Sequence, residues 1–93
     1  MKIVVSSDEV AKLWVLQTQP KARTSSNSLF FEGTTIYSYN RAHPIGNWHD
    51  GYILIFRDKY SRTTAKHVRQ IEKACHLKEW NYEIVSTREE LRV

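Results

Sequence analysis

Four basic residues recur at helical spacing in the second half of the chain. They are separated by four, three and four positions: Arg62, Lys66, Arg69 and Lys73. A helix places side chains at this spacing on one face, although like charges there repel by roughly a few tenths of a kcal/mol per pair. Such a line of cations fits the phosphate backbone of a nucleic acid, and the alternative is a solvated face that serves solubility. Arg57 and Lys59 precede the helix and extend the predicted basic surface.

Hydroxyl and imidazole side chains crowd the start of the same helix. The segment is Tyr60-Ser61-Arg62-Thr63-Thr64-Ala65-Lys66-His67. Free backbone N–H groups at a helix N-terminus bind anions, so Ser61, Thr63 and Thr64 are candidate phosphate contacts, with His67 beside them. The simpler interpretation is that one hydroxyl caps the helix, which accounts for part of the pattern.

Two tyrosines on a predicted strand offer aromatic rings to exposed bases. Strand alternation over residues 35–39 places Tyr37 and Tyr39 on one face and Ile36 on the other. If the Ile36 face is buried, both tyrosines stand in solvent, where they and Tyr60 can stack on bases. The alternative is that both rings are buried and only their hydroxyls remain hydrated.

The histidines and the single cysteine show no recognisable metal site. His43, His49, His67 and His76 are scattered, no HExxH motif occurs, and one cysteine allows no intramolecular disulfide. If folding brings His43 beside His67, the pair forms the base and acid of a metal-independent ribonuclease, which is one alternative. No glycine-rich phosphate loop or serine nucleophile motif is present, so we predict no cofactor and a non-enzymatic function.

Length and composition bound the possible functions. Ninety-three residues predict one small domain, residues 1–93, with one modest core. A net charge of +4 and a pI of about 9.4 permit contact with nucleic acid or an acidic protein surface. After Met1-Lys2 the apolar run is only three residues, and no run approaches the ~18 residues of a membrane span. We therefore expect a cytoplasmic protein without a signal peptide or membrane contact.

Hydrophobic periodicity predicts the elements that position these groups. We expect strands at 2–5, 28–32, 35–39, 43–45, 52–56 and 81–85, with the apolar run 52–56 as the central strand. Helices are expected at about 7–19 and 62–77, a helical turn near 86–91, and a loop at 21–27. The predicted fold class is α+β: an antiparallel sheet of three to five strands flanked by two helices in a two-layer sandwich.

Three short motifs resemble a family of small proteins. In chain order they are Thr35-Ile36-Tyr37-Ser38-Tyr39, His43-Pro44-Ile45 and the segment from Tyr60 to His67. They are similar to a group of uncharacterised proteins encoded by bacteriophages and other mobile elements, over about residues 10–75. Asn40 and His43 stand where that group's pattern has Gly and Phe. The resemblance implies no established activity; it implies a viral accessory protein that acts by binding.

Together these interpretations predict a binding protein whose partner is nucleic acid or a nucleoprotein complex. The alternative is an inhibitor of a host defence complex, of the anti-CRISPR type, that docks through aromatic residues such as Trp48 and Tyr52. For a viral protein the expected location is the host-cell cytoplasm. An unpaired edge strand at 2–5 or 28–32 would permit pairing across a homodimer.

Overall fold

The computed structural model describes residues 2–57 and 61–93. Its elements follow one another in this order: α1 (Ser7–Leu16), β1 (Lys21–Arg23), β2 (Leu29–Glu32), β3 (Thr35–Ser38), β4 (Pro44–His49), β5 (Tyr52–Phe56), α2 (Arg62–Leu77), β6 (Tyr82–Val85) and a 3₁₀ turn (Glu89–Leu91). Among the described residues, no helix is both long enough and apolar enough to cross a membrane.

The strands form one sheet in the order β1-β2-β3-β4-β5-β6. Neighbouring strands are antiparallel except β5 and β6, which run parallel and are joined by α2. A parallel pair requires such a crossover connection, because a short turn cannot return the chain to the same end of the sheet. The predicted α+β class is therefore confirmed, but the predicted three to five antiparallel strands are wrong: the described sheet has six strands and is mixed.

The two faces of the sheet have different coverings. Both helices pack on one face, where Trp14 of α1 and Ile71 of α2 join Phe31, Ile36 and other buried side chains in the main core. We call this the helix-covered face. On the opposite face, a smaller cluster forms where Leu91 of the 3₁₀ turn packs on strand residues of β5 and β6.

A local cap marks the start of α1, and a contact with a distant part of the chain is found at its end. Ser6 caps α1, because its hydroxyl accepts a hydrogen bond from the Glu9 amide at 3.3 Å. The helix ends at Leu16, three residues before the predicted end. Gln17 there adopts a left-handed φ of 54°, and its side-chain amide donates to the carbonyl of Gly33 at 3.2 Å.

The N-terminal half of the sheet departs from the prediction. Residues 2–5 form only one bridge, from Val4 to Arg23, whereas part of the predicted loop 21–27 becomes the strand β1. Ala22 is buried in the main core, which favours a strand at this position. Its neighbours in the sequence are polar, so the sequence shows no apolar pattern there. The segment 28–32 is not a free edge for a dimer either, since β2 pairs with strands on both sides.

The C-terminal half follows the prediction more closely. Strand β5 is buried on both faces through Ile53, Leu54 and Ile55, although it lies next to the edge strand β6 and not at the centre. Helix α2 spans the predicted residues. At the terminal turn, the Thr87 hydroxyl accepts a hydrogen bond from the Glu90 amide at 3.3 Å.

Candidate nucleic-acid interface

Helix α2 begins with a cap that uses the hydroxyls predicted to hold phosphate. The Ser61 hydroxyl accepts from the Thr64 amide at 3.1 Å and donates to the Thr64 hydroxyl at 3.2 Å. Thr64 lies 3.0 Å from the Ser38 hydroxyl and is fully buried. The capping interpretation is therefore confirmed. Because Thr64 is inside the protein and Ser61 is engaged by the cap, a ligand on the surface does not reach Thr64.

The outward surface of α2 carries the four predicted cations. Arg62, Lys66, Arg69 and Lys73 are all exposed, and we call them the basic face. At 3.6 residues per turn they fall within an arc of about 60° and along about 16 Å of the helix axis. Within residues 2–57 and 61–93, none of the four forms an ion pair with a carboxylate. The charge of this face therefore remains available to an anionic ligand.

Arg57 has a carboxylate partner of its own. Its Nε lies 2.8 Å from Oε1 of Glu72, and this hydrogen bond, with the charge of Glu72, raises the pKa of Arg57. Glu72 is an acidic residue of α2, and its ion pair is with Arg57 and not with one of the four cations. Lys59 and Tyr60, which we predicted as further contacts, lie outside the described residues.

A hydroxyl-lined cavity of about 360 Å³ adjoins the N-terminal half of the basic face. Thr63, Lys66 and His67 of α2 border it, opposite serine hydroxyls from the segments 5–7 and 24–28. The Thr24 hydroxyl contacts those of Ser26 and Ser28 at 3.4 and 3.1 Å, which holds the loop in place. Sequence reasoning missed this cavity because the loop has no periodicity and lies about 40 positions from α2.

The side chain of His67 is buried next to this cavity. Its ring is 3% exposed, and Nδ1 lies 3.0 Å from the Ser38 hydroxyl. Burial lowers the pKa of His67 below its usual value of 6.5, and the charge of Lys66 lowers it further. At pH 7 the imidazole therefore adds no positive charge to the basic face, and its Nδ1 is engaged inside the protein.

The two histidines of the ribonuclease alternative have different partners. Nδ1 of His43 lies 3.1 Å from Nη2 of Arg88, whereas Nδ1 of His67 lies beside Ser38. In the part of the chain that the structure describes, no hydrogen bond or ring contact joins the two imidazoles. The geometry gives the acid–base pair no support.

Tyr37 and Tyr39 do not share a face, contrary to the prediction. Strand β3 ends at Ser38, and Tyr39 adopts a left-handed φ of 72° that breaks the strand alternation. Tyr39 is 42% exposed, and its ring centre lies 6.1 Å from that of His67. Tyr37 stacks on Phe30 on the sheet face opposite the helices, with ring centres 5.1 Å apart. Of these two tyrosines, Tyr39 therefore approaches helix α2, and Tyr37 does not.

Other chemistry receives no support from the described residues. They contain no group of three histidine, cysteine or acidic side chains placed to hold a metal ion. Cys75 is fully buried in the main core, and burial raises the pKa of its thiol to about 11.

Comparisons with known proteins add no relative. No family model, no curated protein and no solved structure matches the chain. The resemblance to proteins of mobile elements stays a prediction.

Proposed function

We propose that this protein binds nucleic acid through the basic face of α2 and catalyses no reaction. The observation that carries the proposal is the grouping of Arg62, Lys66, Arg69 and Lys73 within an arc of about 60°, exposed and without ion pairs in the described residues. Because like charges on one helix face repel, the arrangement does not serve the stability of α2 itself. An anionic partner relieves that repulsion.

The length of the basic face matches a short stretch of phosphate backbone. Its extent of about 16 Å equals the rise of roughly five nucleotides along one strand of a duplex. At the N-terminal end, Thr63 and the serine hydroxyls of the adjoining cavity supply hydrogen-bond donors next to Lys66. Phosphate oxygens accept bonds from such groups, which position the ligand without reading its sequence.

Binding of this kind depends on salt. Each phosphate that a lysine or arginine neutralises releases condensed counterions, so the affinity falls as the salt concentration rises. Four such contacts predict a slope of log K against log salt of about −3.6 for duplex DNA and about −2.8 for a single strand. A slope near zero would mean that the basic face makes no phosphate contacts.

The test is fluorescence anisotropy with labelled single-stranded and duplex oligonucleotides over a salt series. The variant Lys66→Glu/Arg69→Glu should lose binding, because it reverses two of the four charges. The control Lys2→Glu/Arg92→Glu changes the net charge equally at two exposed positions outside α2 and should keep most of the affinity. Equal losses in both variants would show that total charge, and not the basic face, governs binding. No binding by the wild-type protein at low salt would refute the proposal.

Docking to a protein of a host defence complex is the second candidate. One observation favours it: Tyr52, at the β4–β5 turn, is 71% exposed. Trp48 suits docking less well, because its Nε1 donates to the Trp14 carbonyl at 3.2 Å and its ring packs edge-on against Trp80. Docking through Tyr52 predicts that Tyr52→Ala abolishes inhibition of such a complex while Lys66→Glu/Arg69→Glu does not. A viral origin and action in the host cytoplasm belong to this proposal and rest on the motif resemblance.

A further inference from the structure

The sheet face opposite the helices is covered unevenly. Towards β5 and β6, Leu91 packs on Leu54 and Val85, and the Asn47 side-chain amide donates to the Leu91 carbonyl at 2.7 Å. The end formed by β1 and β2 instead borders an open cavity of about 560 Å³. That volume lies within the roughly 300–1,000 Å³ of small-molecule sites, so this end of the face has room for a ligand of nucleotide size.

A row of three side chains crosses this end of the sheet. Arg23, Phe30 and Tyr37 are direct neighbours in register on β1, β2 and β3. The rings of Phe30 and Tyr37 stack with their planes 21° apart, and each residue is only half-buried. Adjacent strands lie about 4.8 Å apart, so the row of one guanidinium and two rings extends over about 10 Å. We call these three residues the aromatic row.

Positive charge surrounds the aromatic row. The Arg41 guanidinium carbon lies 5.9 Å from the ring centre of Phe30 and 6.0 Å from that of Tyr37. Lys21 and Arg23 border the same cavity, and Glu32, the carboxylate there, is bound by Arg41. The cavity thus combines half-buried ring surface, a guanidinium that lies over both rings, and an excess of positive charge.

We propose that the aromatic row is a second binding site, which takes unpaired bases of a single-stranded nucleic acid. Every base has a π face that stacks on aromatic rings or guanidinium planes, and Lys21 would meet a phosphate that connects the bases. A base paired inside a duplex has no free face, so this site discriminates against duplex. The inference rests on the proposed function for its ligand class, but it uses different residues on the other face of the sheet.

The two sites face in opposite directions. The basic face points outward from α2 on the helix-covered side, whereas the aromatic row lies on the opposite side of the sheet. A straight duplex on α2 therefore does not contact the aromatic row, but a flexible single strand can turn around an edge of the sheet and occupy both sites. Single-strand binding at low salt should accordingly be tighter than duplex binding.

The test compares two labelled probes with the full chain. One is an oligothymidylate of about eight nucleotides, within the ~4–16-nucleotide range of single-strand sites, and the other is an abasic oligomer of the same length. The phosphates are equal, so the ratio of affinities reports the bases alone. We expect the oligothymidylate to bind about 5-fold to 150-fold more tightly for one stacked base.

Substitutions that keep apolar volume isolate the rings. Phe30→Leu/Tyr37→Leu should remove the preference for the oligothymidylate, whereas Tyr52→Leu, which removes an exposed aromatic ring at the other end of the same sheet, should leave it intact. Lys66→Glu/Arg69→Glu should weaken both probes by the same factor and leave the ratio unchanged. Circular dichroism of each variant verifies that the sheet is retained.

The outcomes separate this inference from the proposed function. Equal affinities for the two probes would overturn the aromatic row as a base site and leave phosphate binding by α2 standing. If wild-type protein binds neither probe, titration with the dinucleotide dTpdT, followed through amide NMR shifts of β1–β3, decides the matter. Shifts that concentrate on the aromatic row would support this site independently of α2. The absence of shifts at millimolar dinucleotide would refute it.

Discussion

Replacing Gly46 with alanine should destabilise the fold strongly, because the position has no room for a side chain. Gly46 lies in β4 beneath α1, and a Cβ atom there would lie 2.8 Å from Cη2 of Trp14 and 2.9 Å from Cγ2 of Ile36. Carbon atoms pack best at about 3.5–4.0 Å, so both contacts overlap by more than about half an ångström. Something in the core must move.

Neither neighbour can retreat easily. Trp14 and Ile36 are both fully buried, and the Trp14 indole donates a 2.8 Å hydrogen bond to the Thr34 carbonyl. We therefore expect the substitution to lower the free energy of unfolding by about 2–3 kcal/mol, which is at the upper end for overpacked cores. Alanine also lowers the conformational entropy of the unfolded chain, which offsets only about 0.4–1 kcal/mol of this destabilisation. For a domain of this size, the melting temperature should fall by roughly 10–20 °C.

Thermal and urea unfolding, followed by circular dichroism and tryptophan fluorescence, measure this change. The double variant Trp14→Phe/Gly46→Ala removes the indole atoms that clash, so its loss should be smaller than the sum of the two single losses. Gly33→Asn is the control, because its Cβ meets open space and asparagine tolerates the φ of 61° there. A Gly46→Ala protein that melts within about 2 °C of wild type, or strict additivity in the double variant, would refute the packing argument.

Three further predictions follow from contacts of α2 and its surroundings. Ser61→Ala removes the cap that binds the Thr64 amide and should cost about 1 kcal/mol in urea unfolding, whereas Ser61→Asn should restore most of it. The pKa of His67 is lower in the folded protein than its usual 6.5, so the unfolded chain takes up the proton first and stability should fall as the pH drops below about 6.5. His67→Gln should flatten this dependence. Cys75, with a thiol pKa raised to about 11, should react with a thiol reagent at neutral pH only when the protein is unfolded.

Each of these predictions has a contrary result. Unchanged unfolding of Ser61→Ala would show that the cap contributes nothing to α2. An equally steep loss of stability in acid with and without His67 would assign that loss to other groups. Stoichiometric labelling of Cys75 in the native protein, at a rate independent of urea, would contradict its burial.

Some features could be predicted because they depend on neighbours in the chain. Helix α2 and a hydroxyl cap at its start follow from a 3.6-residue period and local hydroxyls, although the sequence left the cap open between Ser61 and Thr63 and the structure has Ser61. The basic face follows from the same period, since once α2 forms, the apolar stripe around Ile71 must face the core and the cations must face outward. The hairpin of β2 and β3 is local in the same sense, because Gly33 and its neighbour join two strands of alternating pattern.

The sequence by itself thus determined the α+β class, the course of α2 and the position of the basic face. Only the tertiary structure decided the rest, because those features depend on contacts between residues that are distant in the chain. Ala22 becomes part of a strand because β1 pairs with β2. Strand β6 joins the sheet parallel to β5 because α2 returns the chain to the same end of the sheet. Tyr39 departs from the strand face through a backbone angle that alternation cannot show. The pairing of Phe30 with Tyr37 on the face opposite α2 depends on the strand register and on which face the helices cover, and neither is encoded in a local period.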